Sequence, residues 1–176
     1  MTFRKTGKVS YEIRPVVMVM AEKDDYILLC QLAKGEYAGY WLLPSNILEN
    51  GLINTVENIV KNRLNTDVSE LKMVGVTEEK DFTQNCVYRF LFSVKLAGEP
   101  YCVDDNDYFQ CRWFSREAAN EMLQEKDAVP KIGIMGIIKK WADGEEILPL
   151  TEFDENMQCP CGSGYGYRGC CGWDLK

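Results

Sequence analysis

The sequence predicts an α+β domain followed by a small cysteine-rich appendage. Three observations point there: a series of strand-like apolar runs, a helical apolar stripe from Leu52 to Leu64, and a knot of cysteines between Cys159 and Cys171. At 176 residues and 46% apolar content, the chain is long enough for one well-cored domain plus a small extra piece.

The elements follow in order. After a short basic lead, Arg14 to Met20 and Tyr26 to Ala33 are β-rich runs, and Glu22-Lys23-Asp24-Asp25 between them has the turn chemistry of a hairpin. Gly39-Tyr40-Trp41-Leu42-Leu43-Pro44 then enters a polar loop. From Leu52 to Leu64, Leu52, Ile53, Val56, Ile59, Val60 and Leu64 recur at three- and four-residue steps. Asn54, Glu57, Asn58, Lys61, Asn62 and Asn65 fall opposite, so the segment is an amphipathic helix. Asn54, Asn58 and Asn62, four residues apart, either line a ligand groove or are ordinary surface side chains.

Leu71 to Thr77 and Cys86 to Leu96 are the next strands, the second placing Cys86, Tyr88, Phe90, Phe92, Val94 and Leu96 on one face. Phe109, Cys111 and Trp113 repeat that alternation. Ser115 can N-cap a helix running to Leu123, with Glu117 placed to favour its dipole. Pro130 opens a last helix that ends near Gly144. Cys30, Cys86 and Cys111 therefore sit on apolar strand faces and Cys102 in a loop, and they read as small core residues without converging partners.

Composition excludes several chemistries. A net charge of −7 lacks the basic footprint that nucleic acid or an anionic membrane needs. The longest apolar run, Val16 to Ala21, is far short of the roughly 20 residues that span a bilayer, and the chain reads as cytoplasmic. With no histidine, Ser-His-Asp and Cys-His machinery and histidine metal sites are ruled out. Neither a P-loop nor a Gly-x-Gly-x-x-Gly between strand and helix is present.

Cys159, Cys161, Cys170 and Cys171 form a tight set with glycines at 162, 164, 166 and 169 between them, which lets the loop double back. Four thiolates match the tetrahedral preference of Zn²⁺ and leave no open position, the mark of one structural zinc per chain. Metal binding worth roughly 10 kcal/mol or more would replace the core that so short a segment lacks. Cys159–Cys161 and Cys170–Cys171 disulfides would close strained rings, while crossed pairing stays open in an oxidising compartment.

Cys-Pro-Cys-Gly-Ser-Gly, the aromatic Tyr167 and Cys-Cys-Gly resemble the SEC-C motif. That resemblance implies that the four cysteines are zinc ligands and that the knuckle docks on a protein partner. Within the loop Arg168 is the sole cation, where the motif in the bacterial translocating ATPase usually carries basic residues at the positions of Tyr165 and Gly166.

The order of elements over about residues 12 to 143, with Trp41, Pro44, Glu49 and Gly51, resembles the Nudix fold. The resemblance implies a mixed β-sheet sandwiched by helices, and a glutamate-bearing helix that holds Mg²⁺ against a diphosphate. At the hallmark positions this chain has Ser45-Asn46 for the double glycine and Leu52 for a glutamate. Val60-Lys61 or Lys61-Asn62 stands for the Arg-Glu pair, and Leu64-Asn65 for the paired glutamates. Glu49 and Glu57 alone would make a poor site for a hard cation.

The expected organisation is a Nudix-like domain over 1–144, an acidic linker over 145–158 and the zinc knuckle over 159–176. The leading expectation is a binding or adaptor protein: a catalytically degenerate Nudix-like domain, able to take a small nucleotide-like ligand, joined to a knuckle for protein docking. The first alternative is a metal-dependent Nudix-type hydrolase of nucleoside diphosphate derivatives using Glu78, Glu79 and Asp81. A second is an RNA contact through Tyr165, Tyr167 and Arg168, against which the net acidity argues.

Overall fold

The computed structural model describes residues 2–4, 10–35, 37–80, 86–102, 107–125, 128–129 and 134–145. The knuckle cysteines Cys159, Cys161, Cys170 and Cys171, nearly all of the linker, Pro130 and Asp81 lie outside these residues.

Strands β1 (Thr2–Arg4) and β2 (Ser10–Lys23) are paired antiparallel, and β3 (Tyr26–Leu32) follows β2 through a tight turn in which Asp24 adopts φ 53°. Next come β4 (Trp41–Leu42), β5 (Ser45–Ile47) and α1 (Leu52–Leu64). Strands β6 (Val68–Lys80), β7 (Cys86–Leu96) and β8 (Tyr108–Ser115) lead to α2 (Arg116–Gln124) and α3 (Ile134–Ala142).

Strand β2 is the axis of the mixed sheet. It pairs in parallel with β7 from Ile13↔Cys86 to Ala21↔Val94, and antiparallel with β5 across Val16–Met18. Strand β6 extends the sheet beyond β7, while β3 bridges to β4 and β8. The unbroken apolar run of β2 follows from this position, because a central strand covered on both faces has no solvated side. Met18 and Met20 point into one core with Ile27 and Leu29, whereas Val17, Val19 and Ala21 point into the other with Leu28 and Cys30.

Each core is closed by helices. Val56, Ile59, Val60 and Leu64 of α1 cover the second, and Ala119, Met122, Ile137, Ile138 and Trp141 of α2 and α3 cover the first. The helix–sheet–helix sandwich expected from the sequence is therefore present. Ser115 caps α2 through a 3.2 Å bond from the Ala118 amide to its hydroxyl. Gly144, at φ 73°, terminates α3: its N–H reaches the Trp141 carbonyl at 3.1 Å, and that of Glu145 reaches Lys140 at 2.8 Å, a Schellman closure. No helix among the described residues is long and apolar enough to cross a membrane.

Two details differ from the sequence reading. On α1, Thr55 is buried in place of Ile53, because its hydroxyl donates to the Gly51 carbonyl at 2.8 Å and so loses no hydrogen bond. On β8, Phe109 is 73% exposed, and Tyr108 takes the core position at 4%. The β3–β8 register steps from Gln31↔Gln110 to Leu32↔Tyr108, so a bulge at Phe109 reverses the inward face.

Candidate functional site in the loop and helix from Trp41 to Asn65

The segment is held on both sides before it becomes a helix. The Val19 amide donates to the Pro44 carbonyl at 2.8 Å and the Leu48 amide to that of Pro15 at 2.9 Å, which fixes β5 along β2. Tyr108 reaches across from β8: its hydroxyl accepts from the Ser45 amide at 3.0 Å and donates to the Ser45 carbonyl at 3.2 Å. Gly51 then turns the chain into α1 at φ 91°, where a side chain would be strained. Asn65 ends α1 in the left-handed conformation.

Behind the helix lies a polar cluster that the sequence did not single out. Arg63, near the end of α1, pairs with Asp107 at 2.5 Å and lies over the Tyr108 ring at 5.4 Å. Lys34 approaches the same carboxylate at 3.5 Å. The Arg63 hydrogen bond, ahead of its charge and that of Lys34, holds the Asp107 carboxyl below its ordinary range. Burial pushes the Tyr108 hydroxyl up to about 12, so it stays protonated and keeps both bonds to Ser45.

The hallmark positions are now placed. Lys61 is exposed, 4.0 Å from Asp67; Leu64 is 0% exposed in the core; Asn65 is the helix terminus; and Val60 is buried. Ser45 and Asn46 belong to the short edge strand, and Leu52 is half-buried. Glu49, Glu57, Asn54, Asn58 and Asn62 are exposed. Asn54 donates its side-chain amide to the Asn50 carbonyl at 2.9 Å.

No group of three or more carboxylate or thiol side chains among the described residues is placed to hold a metal ion. A hard divalent cation needs several carboxylate oxygens, while α1 offers an ammonium, amides and a core leucine, so its residues do not fit Mg²⁺. Glu78 is exposed on β6 opposite Tyr88, and Glu79 is placed opposite Val87. Two surface clefts lie elsewhere, one beside Glu22, Lys23 and Trp113 and one beside Glu22, Lys72, Arg116 and Trp141; neither is lined by Glu49, Glu57 or Glu78.

The cysteines require a correction. Cys30 and Cys111 are directly opposed across β3 and β8, and Cys30, Cys102 and Cys111 pack in one core. They were expected to lack converging partners. The pairing of β3 with β8, distant in sequence, brings Cys30 and Cys111 together, and Cys102 joins them in the same core.

No family model and no curated protein matches the sequence. Solved structures do match in fold. A Nudix hydrolase from Nitrosomonas europaea is 18% identical, with 81% of this chain and 98% of that chain covered and a TM-score of 0.62. The Nudix domain of Shewanella oneidensis NrtR, solved in complex with ADP ribose, is 12% identical over 76% of this chain and 87% of that one, at a TM-score of 0.58. A MutT Nudix hydrolase from Burkholderia pseudomallei is 18% identical over 61% and 86%, at 0.56. The leading expectation of a binding or adaptor protein is corrected by these neighbours, two of which are described as Nudix hydrolases. At these identities the likeness establishes the architecture: the described domain has the Nudix fold.

Proposed function

We propose that the chain is a Nudix-type hydrolase of nucleoside diphosphate derivatives. The observation that carries this reading is the likeness of the described domain to Nudix hydrolases over most of its length. Because α1 lacks the carboxylates, the reaction must draw them from elsewhere, and Glu78, Glu79 and Asp81, at and just beyond the end of β6, are the candidates. The test is turnover of a panel of nucleoside diphosphate derivatives, ADP ribose included, by the full chain with and without Mg²⁺. Replacing the three carboxylates by their amides together should lower kcat by about 10²-fold or more, the usual worth of a positioned acid or base. Absence of turnover across the panel, even with binding detected by calorimetry, overturns hydrolysis.

We also propose one structural Zn²⁺ on Cys159, Cys161, Cys170 and Cys171. Its support is the ligand spacing and the SEC-C resemblance, since four thiolates make a soft, closed site.

A further inference from the structure

Beneath the end of α1, Cys30, Cys102 and Cys111 share one core with Leu64 and Tyr108. Cys30 is 0% exposed, while Cys102 and Cys111 are half-buried and pack against this core. Cys102 is carried by a segment tied to the helix: the Tyr101 amide donates to the Leu64 carbonyl at 3.1 Å, and the Asn65 side chain bonds the Tyr101 hydroxyl.

We propose that Cys102 and Cys111 are a reversible dithiol–disulfide pair, oxidised by a hydroperoxide, with Cys30 as the buried thiol behind them. The geometry rests on the three thiols packing in one core and on Cys111 being fixed by the β3–β8 register. The electrostatics agree. Hydrogen bonds from the Cys102 and then the Cys30 side chain favour the Cys111 thiolate and hold its pKa well below the ordinary thiol range, whereas burial pushes the Cys30 thiol up and keeps it protonated.

In the first step the Cys111 sulfur attacks a hydrogen peroxide oxygen: the S–O bond forms, the O–O bond breaks, and hydroxide leaves to be protonated to water. In the second, the Cys102 sulfur attacks the sulfenic sulfur: the S–S bond forms, the S–O bond breaks, and a second water leaves with the thiol proton. Two sulfurs lose two electrons, and one peroxide is reduced to two waters. The disulfide would tie the Tyr101–Cys102 segment, and through it the end of α1, to β8.

The test is thiol mapping of the full-length protein by mass spectrometry after brief treatment with equimolar hydrogen peroxide. The expected product joins the Cys102 and Cys111 peptides, is reversed by dithiothreitol, and also forms in the Cys30→Ser protein. In the Cys102→Ser protein, Cys111 should stop at a sulfenic acid trapped by dimedone. Recovery of both as free thiols from wild type under conditions that oxidise other cysteines, or their joining to Cys30, Cys86 or a knuckle cysteine instead, overturns the proposal. The wild-type map decides even where a variant fails to fold.

Discussion

Asp107 shows how much one side chain can organise. It meets Arg63 from α1 and Lys34 from the segment after β3, and its neighbour Tyr108 anchors Ser45. Its folded-state pKa is depressed, chiefly by the Arg63 hydrogen bond, so its contribution is present above the unfolded carboxylate value of about 3.9 and is lost as pH falls through the folded value. The pair is partly solvated, which limits the effect to on the order of 1 kcal/mol. Asp107→Asn should therefore lower the urea midpoint at pH 7, and the gap should close as the pH approaches 2. A gap of equal size at both ends of that range would mean that the loss is one of packing and not of charge. None of this was legible in the sequence, because the bulge that turns Tyr108 inward and Phe109 outward depends on the register with β3. Alternation alone put Phe109 in the core.

Helix α1 was more legible. Its bounds, Leu52 to Leu64, and its exposed polar face follow from periodicity, while the absence of hallmark carboxylates follows from the Nudix resemblance counted from Trp41 and Pro44. Strand β7 was equally plain, since Phe90, Phe92, Val94 and Leu96 all join the core under α1. What periodicity could not supply was the convergence of Cys30, Cys102 and Cys111, which requires strand order. The burial pattern of α1 also predicts which hallmark positions tolerate a carboxylate. Leu64 is 0% exposed, so Leu64→Glu would bury an unpaired charge on top of the packing loss of about 2–5 kcal/mol seen for leucine truncations, and should leave no cooperative unfolding transition. Lys61 is exposed, and Lys61→Glu should shift stability by only about 0.5 kcal/mol. Circular dichroism during thermal melts separates the two outcomes; a well-folded Leu64→Glu protein would show that this end of α1 can turn its face to solvent.

At the scale of the molecule, the cores on the two faces of the sheet draw, among the described residues, on Val16 to Ala142. The domain therefore has its own source of stability in buried apolar area. A cysteine-rich segment so rich in glycine has no comparable reservoir and would depend on metal for order. Stripping metal with a chelator should thus remove about one zinc per chain while leaving the main thermal transition within a degree or so of its original midpoint. Cys161→Ser exchanges a soft thiolate for a hydroxyl that stays protonated at neutral pH, and should abolish zinc retention with the same transition intact. Elemental analysis paired with calorimetry reads both quantities on one sample. Protein that carries no zinc when purified without chelators would remove the knuckle, and cooperative loss of the whole transition on chelation would mean that the metal holds the sheet domain together as well.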